Sequence, residues 1–153
     1  PFSTGFVDLQ SPAGAGISGV IYYYNGDVYP ADEARMLAAM GDSFFKMGNV
    51  CNNTYLEIFK SSLLKDMVLN SCVESMPGCW TCAYQSYCGA DPIRNYLESG
   101  DILGKRYMSQ FCEKNKKMIK VILDIIKEND TKTMAVLWSW VFRRPMEAWQ
   151  CGK

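Results

Sequence analysis

The chain has 153 residues with sixteen basic and sixteen acidic side chains, so no net field draws it to nucleic acid or to an anionic membrane. That length accommodates one domain with an ordinary hydrophobic core. Seven cysteines stand beside no histidine, which excludes a Ser-His or Cys-His nucleophile, a Rieske centre and a mixed cysteine–histidine zinc site built from this chain.

Residues 1–17 are rich in Gly, Ser, Pro and Ala and read as a lead-in segment or linker. They hold neither an initiator methionine nor the basic and apolar blocks of a signal peptide, so the chain is expected to be an excised piece. Residues 20–24 are β-branched and aromatic, and Asn25-Gly26 is the two-residue turn signal that predicts a hairpin returning through Val28-Tyr29. Asp32 and Glu33, followed by Ala34, Arg35, Met36 and Leu37, predict a short helix with its acids at the positive end, stopped by Gly41. Gly48-Asn49 predicts a second turn. The spacing of Leu56, Phe59, Leu63, Leu64, Met67 and Val68 predicts two short helices broken near Ser61-Ser62, with those six residues in the core.

Residues 71–90 contain Pro77, Gly78, Gly89 and four cysteines and carry no helical or alternating period, which predicts a loop. Asp91-Pro92 is an N-cap followed by proline at the first helical position, and it opens a helix through Tyr96 that Gly100 ends. Residues 117–127 place Met118, Ile119, Ile122, Leu123, Ile125 and Ile126 on one broad apolar face, a helix with Cys112 at or just before its start. A last helix over 134–149, interrupted near Pro145, carries Trp138, Trp140, Phe142 and Trp149, which are expected to pack in the domain's own core, with an interface to the rest of a longer chain as the alternative. The longest apolar stretch, 134–142, falls well short of the roughly 18 residues a membrane span needs, so no membrane partner is expected. The fold class expected is α+β: a small N-terminal β-hairpin, then a metal-binding cysteine loop and several α-helices.

An odd number of cysteines with tight Cys-x2-Cys spacing suits a disulfide framework poorly and points to a reducing cytoplasm. Cys79 and Cys82 share one tight turn, Cys88 follows after five residues, and Cys112 arrives from a later helix. Together they form a closed four-thiolate cage, which suits an iron–sulfur cluster or tetrahedral zinc; spacing alone does not separate the two. Trp80, Tyr84 and Tyr87 are expected to wrap the loop in aromatic surface that shields a cluster. Cys72 lies near enough to serve as a spare ligand but reads first as a buried structural thiol, and Cys51 and Cys151 carry no assignment.

The ordered combination Gly26-Asp27-Val28-Tyr29-Pro30-Ala31-Asp32, Met47-Gly48-Asn49-Val50, Cys79-x2-Cys82-x5-Cys88-Gly89 and Cys112 resembles a SPASM domain. That is the C-terminal auxiliary-cluster domain of radical S-adenosylmethionine enzymes that modify peptides and proteins. The stretch TCAYQSYCGADPIRNY is similar, more narrowly, to the maturases of the His-Xaa-Ser peptide systems. The resemblance implies one 4Fe–4S cluster on Cys79, Cys82, Cys88 and Cys112, with zinc as the alternative. It implies no first auxiliary cluster, because the expected cysteine positions hold Ala31 and Pro92.

In sulfatase-maturing relatives an aspartate at the position of Asp32 acts as a base on the substrate radical, which makes Asp32 a candidate catalytic residue; helix capping is its simpler role. The chain contains no Cys-x3-Cys-x2-Cys triplet. S-adenosylmethionine cleavage is therefore expected in a catalytic barrel elsewhere in the parent chain, which would be the partner of this domain along with a peptide or protein substrate. The implied organisation is a lead-in over 1–17, the auxiliary-cluster domain over 18–130 and a helical extension over 131–153. The rival reading is a non-enzymatic zinc module with four cysteine ligands that serves protein–protein interaction.

Overall fold

A computed structural model describes residues 10–149, so Cys151 lies outside the described residues, as does the side chain of Trp149. The fold is α+β, with a small antiparallel sheet near the N-terminus followed by helices. The chain divides into two compact units, the break falling between Ser109 and Gln110.

In the first unit, β1 (Ile21–Tyr22) pairs antiparallel with β2 (Asp27–Tyr29), Ile21 facing Tyr29 and Tyr22 facing Val28. The hairpin is present, but its loop is longer than the Asn-Gly signal predicts. Tyr23 N–H donates to the Asp27 carbonyl at 2.8 Å and Gly26 N–H to the Tyr23 carbonyl at 2.9 Å, leaving residues 24–26 as a three-residue loop. Gly26 closes that loop with φ +85, a conformation cheap only for glycine.

A third strand, β3 (Gly48–Asn49), adds to β2 where the sequence predicts a turn. Neither residue favours strands, so pairing with β2 decides its conformation rather than propensity. Asp27, 7 % exposed, ties these pieces together: Lys46 Nζ lies 2.6 Å from its carboxylate and Asn49 Nδ2 donates to it at 2.8 Å. Those hydrogen bonds, led by Lys46, hold the Asp27 pKa below its ordinary value.

Helix α1 (Asp32–Ala39) runs from an extended Ala31, and Gly41 follows its end with φ +102. The predicted pair of short helices is α2 (Tyr55–Phe59) and α3 (Ser62–Leu69). Thr54 and Glu57 form a capping box on α2, and Ser61 caps α3.

Leu64 and Met67 are core as expected, but Leu56 is 57 % exposed and Ile58, at 4 %, takes the inward position instead. A five-residue helix turns too little of itself inward to bury both. One core cluster gathers Tyr29, Ala34, Leu37, Phe45, Met67 and Ile93, and another joins Val28, Met47, Ile58 and Leu64. Burying Phe45 completely contributes on the order of 1.5–3 kcal/mol.

Helix α4 (Pro92–Ser99) follows its sequence signals closely. Asp91 Oδ1 accepts from Arg94 N–H at 3.0 Å, Pro92 sits in the first turn, and Gly100 ends the helix with φ +73.

The second unit contains α5 (Gln110–Glu128) and α6 (Thr131–Phe142). Cys112 falls in the first turn of α5, and no side chain of α5 is fully buried. Asp130 caps α6 through Thr133 N–H at 2.9 Å, and Arg143, with φ +53, ends it ahead of Pro145. The expectation that the aromatic residues here pack into a core is not met. Trp140 is 71 % and Phe142 53 % exposed, while Ala135 is the buried residue of α6. Two helices and a short turn have too little volume to enclose such large side chains. Among the described residues no helix is long and apolar enough to cross a membrane.

Candidate metal centre

The cysteine loop has a period that neither helix nor strand patterns reveal. Met76 N–H donates to the Val73 carbonyl at 3.4 Å, Cys79 to Met76 at 3.0 Å and Cys82 to Cys79 at 2.9 Å; Gln85 then donates to Cys82 and Cys88 to Gln85, both at 3.0 Å. Every third residue from Val73 to Cys88 is therefore linked by an i to i+3 backbone bond, as a succession of turns rather than one continuous helix, since Gly78 stands at φ +72 and Cys88 is extended. Burial follows the same count: Val73 and Met76 are 2 % exposed and Cys79 is 8 %, and together with Ala90 they form a third core cluster. Cys82 and Cys88 continue the register half-buried. Three of the four predicted ligands thus belong to one ladder of turns, anchored at its start by apolar side chains.

Two neighbouring segments clamp the ladder. On one side, Val73 N–H donates to Ser11 Oγ at 3.0 Å, Ala13 N–H to Ser71 Oγ at 2.9 Å and Ala90 N–H to the Gln10 carbonyl at 3.3 Å; Ser11 Oγ also donates to the Glu74 carboxylate. That last bond holds the Glu74 pKa below its usual value. Residues 10–13, which read as part of a linker, therefore support the site. Gly89 has room for no side chain, because a Cβ there would lie 2.9 Å from the Gln10 carbonyl oxygen.

On the other side, Gly78 adopts φ +72 and a Cβ on it would meet Tyr107 Cγ at 2.6 Å. Tyr107 is the middle residue of a 3-10 turn, Arg106–Met108. Its neighbour Arg106 is 3 % exposed and donates from Nη2 to Cys88 Sγ at 2.9 Å. The sequence offers no signal for that contact, since a lone arginine in a polar stretch reads as surface.

The remaining candidates fall elsewhere. Cys72 is half-buried rather than buried as expected, and donates from Sγ to the Val68 carbonyl at 3.5 Å. Cys51 is exposed. Asp32 is the first residue of α1, not its cap: Ala31 holds that position without a side-chain bond. The Asp32 carboxylate instead accepts from Arg35 Nε at 2.7 Å, with 58 % of its side chain exposed. The aromatic shield is formed only in part, because Tyr84 is half-buried whereas Trp80 and Tyr87 are 66 % and 68 % exposed. Each of these two follows or precedes a cysteine on the ladder, so it falls out of the buried register.

The donors fit a thiophilic centre in kind: three cysteines in one register, one sulfur already accepting from a buried cation, and no competing imidazole. Among the described residues, no three Cys, Asp or Glu side chains converge as a metal ion would require. Closing a centre therefore calls for the ladder to draw in around the metal, as expected where metal binding and local ordering are coupled. Compared with known proteins, the chain matches no protein-family model, no curated protein and no solved structure.

Proposed function

We propose that this chain is an auxiliary 4Fe–4S domain that works beside a radical S-adenosylmethionine barrel of the same parent protein during modification of a peptide or protein. The observation that carries the proposal is the three-residue register of Cys79, Cys82 and Cys88, built on buried Val73 and Met76 and braced by Arg106. Cys112, from the first turn of α5, is the fourth ligand that the sequence pattern supplies. A cluster so held stores or passes one electron. With four protein thiolates as ligands, no iron position is left open to substrate. The resemblance also offers Asp32 as a base, and its exposed carboxylate, oriented by Arg35, is open to a substrate.

The exposure of Trp80 and Tyr87 favours a second reading, in which zinc orders the loop and the two rings meet a partner protein. Anaerobic reconstitution of single-cysteine variants tests the shared ligand set. Cys82→Ser is expected to lose most of the bound metal and Cys72→Ser to keep it. Equal retention by both variants rules out the assignment.

A further inference from the structure

A buried arginine directed at a ligand sulfur has consequences beyond packing. Its delivery is built into the segment after α4. Asn95, 5 % exposed, donates from Nδ2 to the carbonyls of Ile102 at 3.1 Å and Leu103 at 2.9 Å, which folds the chain back after Gly100. Gly104, at φ +60, lets the backbone pass so close that a Cβ would sit 2.9 Å from that of Asn95. Two residues later Arg106 enters the interior. Ser109 N–H and Oγ hold its carbonyl at 3.0 and 2.7 Å, and Tyr107 packs on Gly78 at the cysteine ladder. These contacts hold the backbone on both sides of Arg106, which presents the guanidinium to Cys88 Sγ from a position 3 % exposed.

We propose that Arg106 is a positioning residue that raises the reduction potential of the cluster by holding a positive charge and a hydrogen bond on the Cys88 sulfur. The inference rests on the 4Fe–4S reading. Reduction adds one electron, and so one negative charge, to a centre already negative from its four thiolates. A guanidinium fixed in a poorly solvated position stabilises that added charge more than it stabilises the oxidised form. A neutral thiol is a weak acceptor, whereas a thiolate or cluster sulfur accepts a charged donor readily. Glutamine in place of Arg106 keeps a donor and loses the charge; methionine keeps bulk and loses both; lysine keeps the charge.

The test is an anaerobic redox titration of the reconstituted chain with dithionite as electron donor, read by visible absorption and electron paramagnetic resonance, with iron and sulfide counted in every sample. Arg106→Gln is expected to retain its iron yet favour the oxidised form at least tenfold more than wild type, which for a one-electron couple is about 59 mV. Arg106→Lys is expected to recover most of that shift, and Arg106→Met serves in place of Arg106→Gln if that variant does not fold. A neutral variant with full iron content and a potential within twofold of wild type in equilibrium constant overturns the role of Arg106 alone. Wild-type protein that takes up no iron overturns the cluster reading and this inference with it.

Discussion

Replacing Gly78 by alanine probes how tightly the cysteine ladder is keyed to the segment carrying Arg106. Two costs add. Gly78 has φ +72, and placing an L side chain in the left-handed region costs about 1–2 kcal/mol. The new Cβ would also lie 2.6 Å from Tyr107 Cγ and 2.9 Å from Tyr107 Cβ. The second of those atoms is attached to the backbone, so rotating the ring does not clear it and the 3-10 turn must shift, at about 1–3 kcal/mol.

Gly100→Ala supplies the control. It shares a φ of +73, but no atom lies within 4 Å of its added Cβ, so it carries the conformational cost alone. Urea denaturation of both variants should place Gly100→Ala about 1–2 kcal/mol below wild type and Gly78→Ala about 2–5 kcal/mol below. The larger loss should be accompanied by weaker metal retention, because the same shift moves Arg106 from Cys88. Equal destabilisation of the two variants would refute the close approach of Gly78 and Tyr107.

Asp27→Asn should destabilise the sheet by about 1–3 kcal/mol at neutral pH, since Lys46 and Asn49 lose a charged acceptor. The folded pKa of Asp27 is depressed, so its contribution is complete above the unfolded value near 3.8 and is lost as pH falls below that value through the folded one. The stability gap between wild type and variant should therefore close in acid, and a gap constant from neutral pH to below about pH 3 would contradict the pairing. Thr54→Ala removes one half of the capping box on α2 and should cost about 1 kcal/mol in thermal or urea unfolding. No loss would show that Glu57 alone satisfies the helix start.

Local chemistry made much of the fold legible. Asp91-Pro92 and Gly100 bracket α4 because each acts through its own backbone geometry, and Ser61 separates α2 from α3 for the same reason. The hairpin was legible at Asn25-Gly26, though not its loop length, which follows from pairing Tyr23 with Asp27. Gly48-Asn49 could not be read as a strand, since its conformation is imposed by β2.

At the site, cysteine spacing points to the loop while its organisation lies in a period of three, Val73, Met76, Cys79, Cys82, Gln85 and Cys88, which the periods of 2 and 3.6 do not contain. Arg106 and residues 10–13 were silent because their roles exist only in tertiary contact. The misplaced expectations, buried Trp80 and Tyr87 and a packed aromatic α6, share one cause. Aromatic composition reports what a residue can bury, not which way its backbone turns it.

Metal and sulfide content of the protein purified without oxygen tests the central proposal most directly. A 4Fe–4S domain gives brown protein with roughly four irons and four sulfides per chain, both largely lost in Cys82→Ser. Colourless protein that keeps a single zinc after reconstitution with iron and sulfide contradicts it.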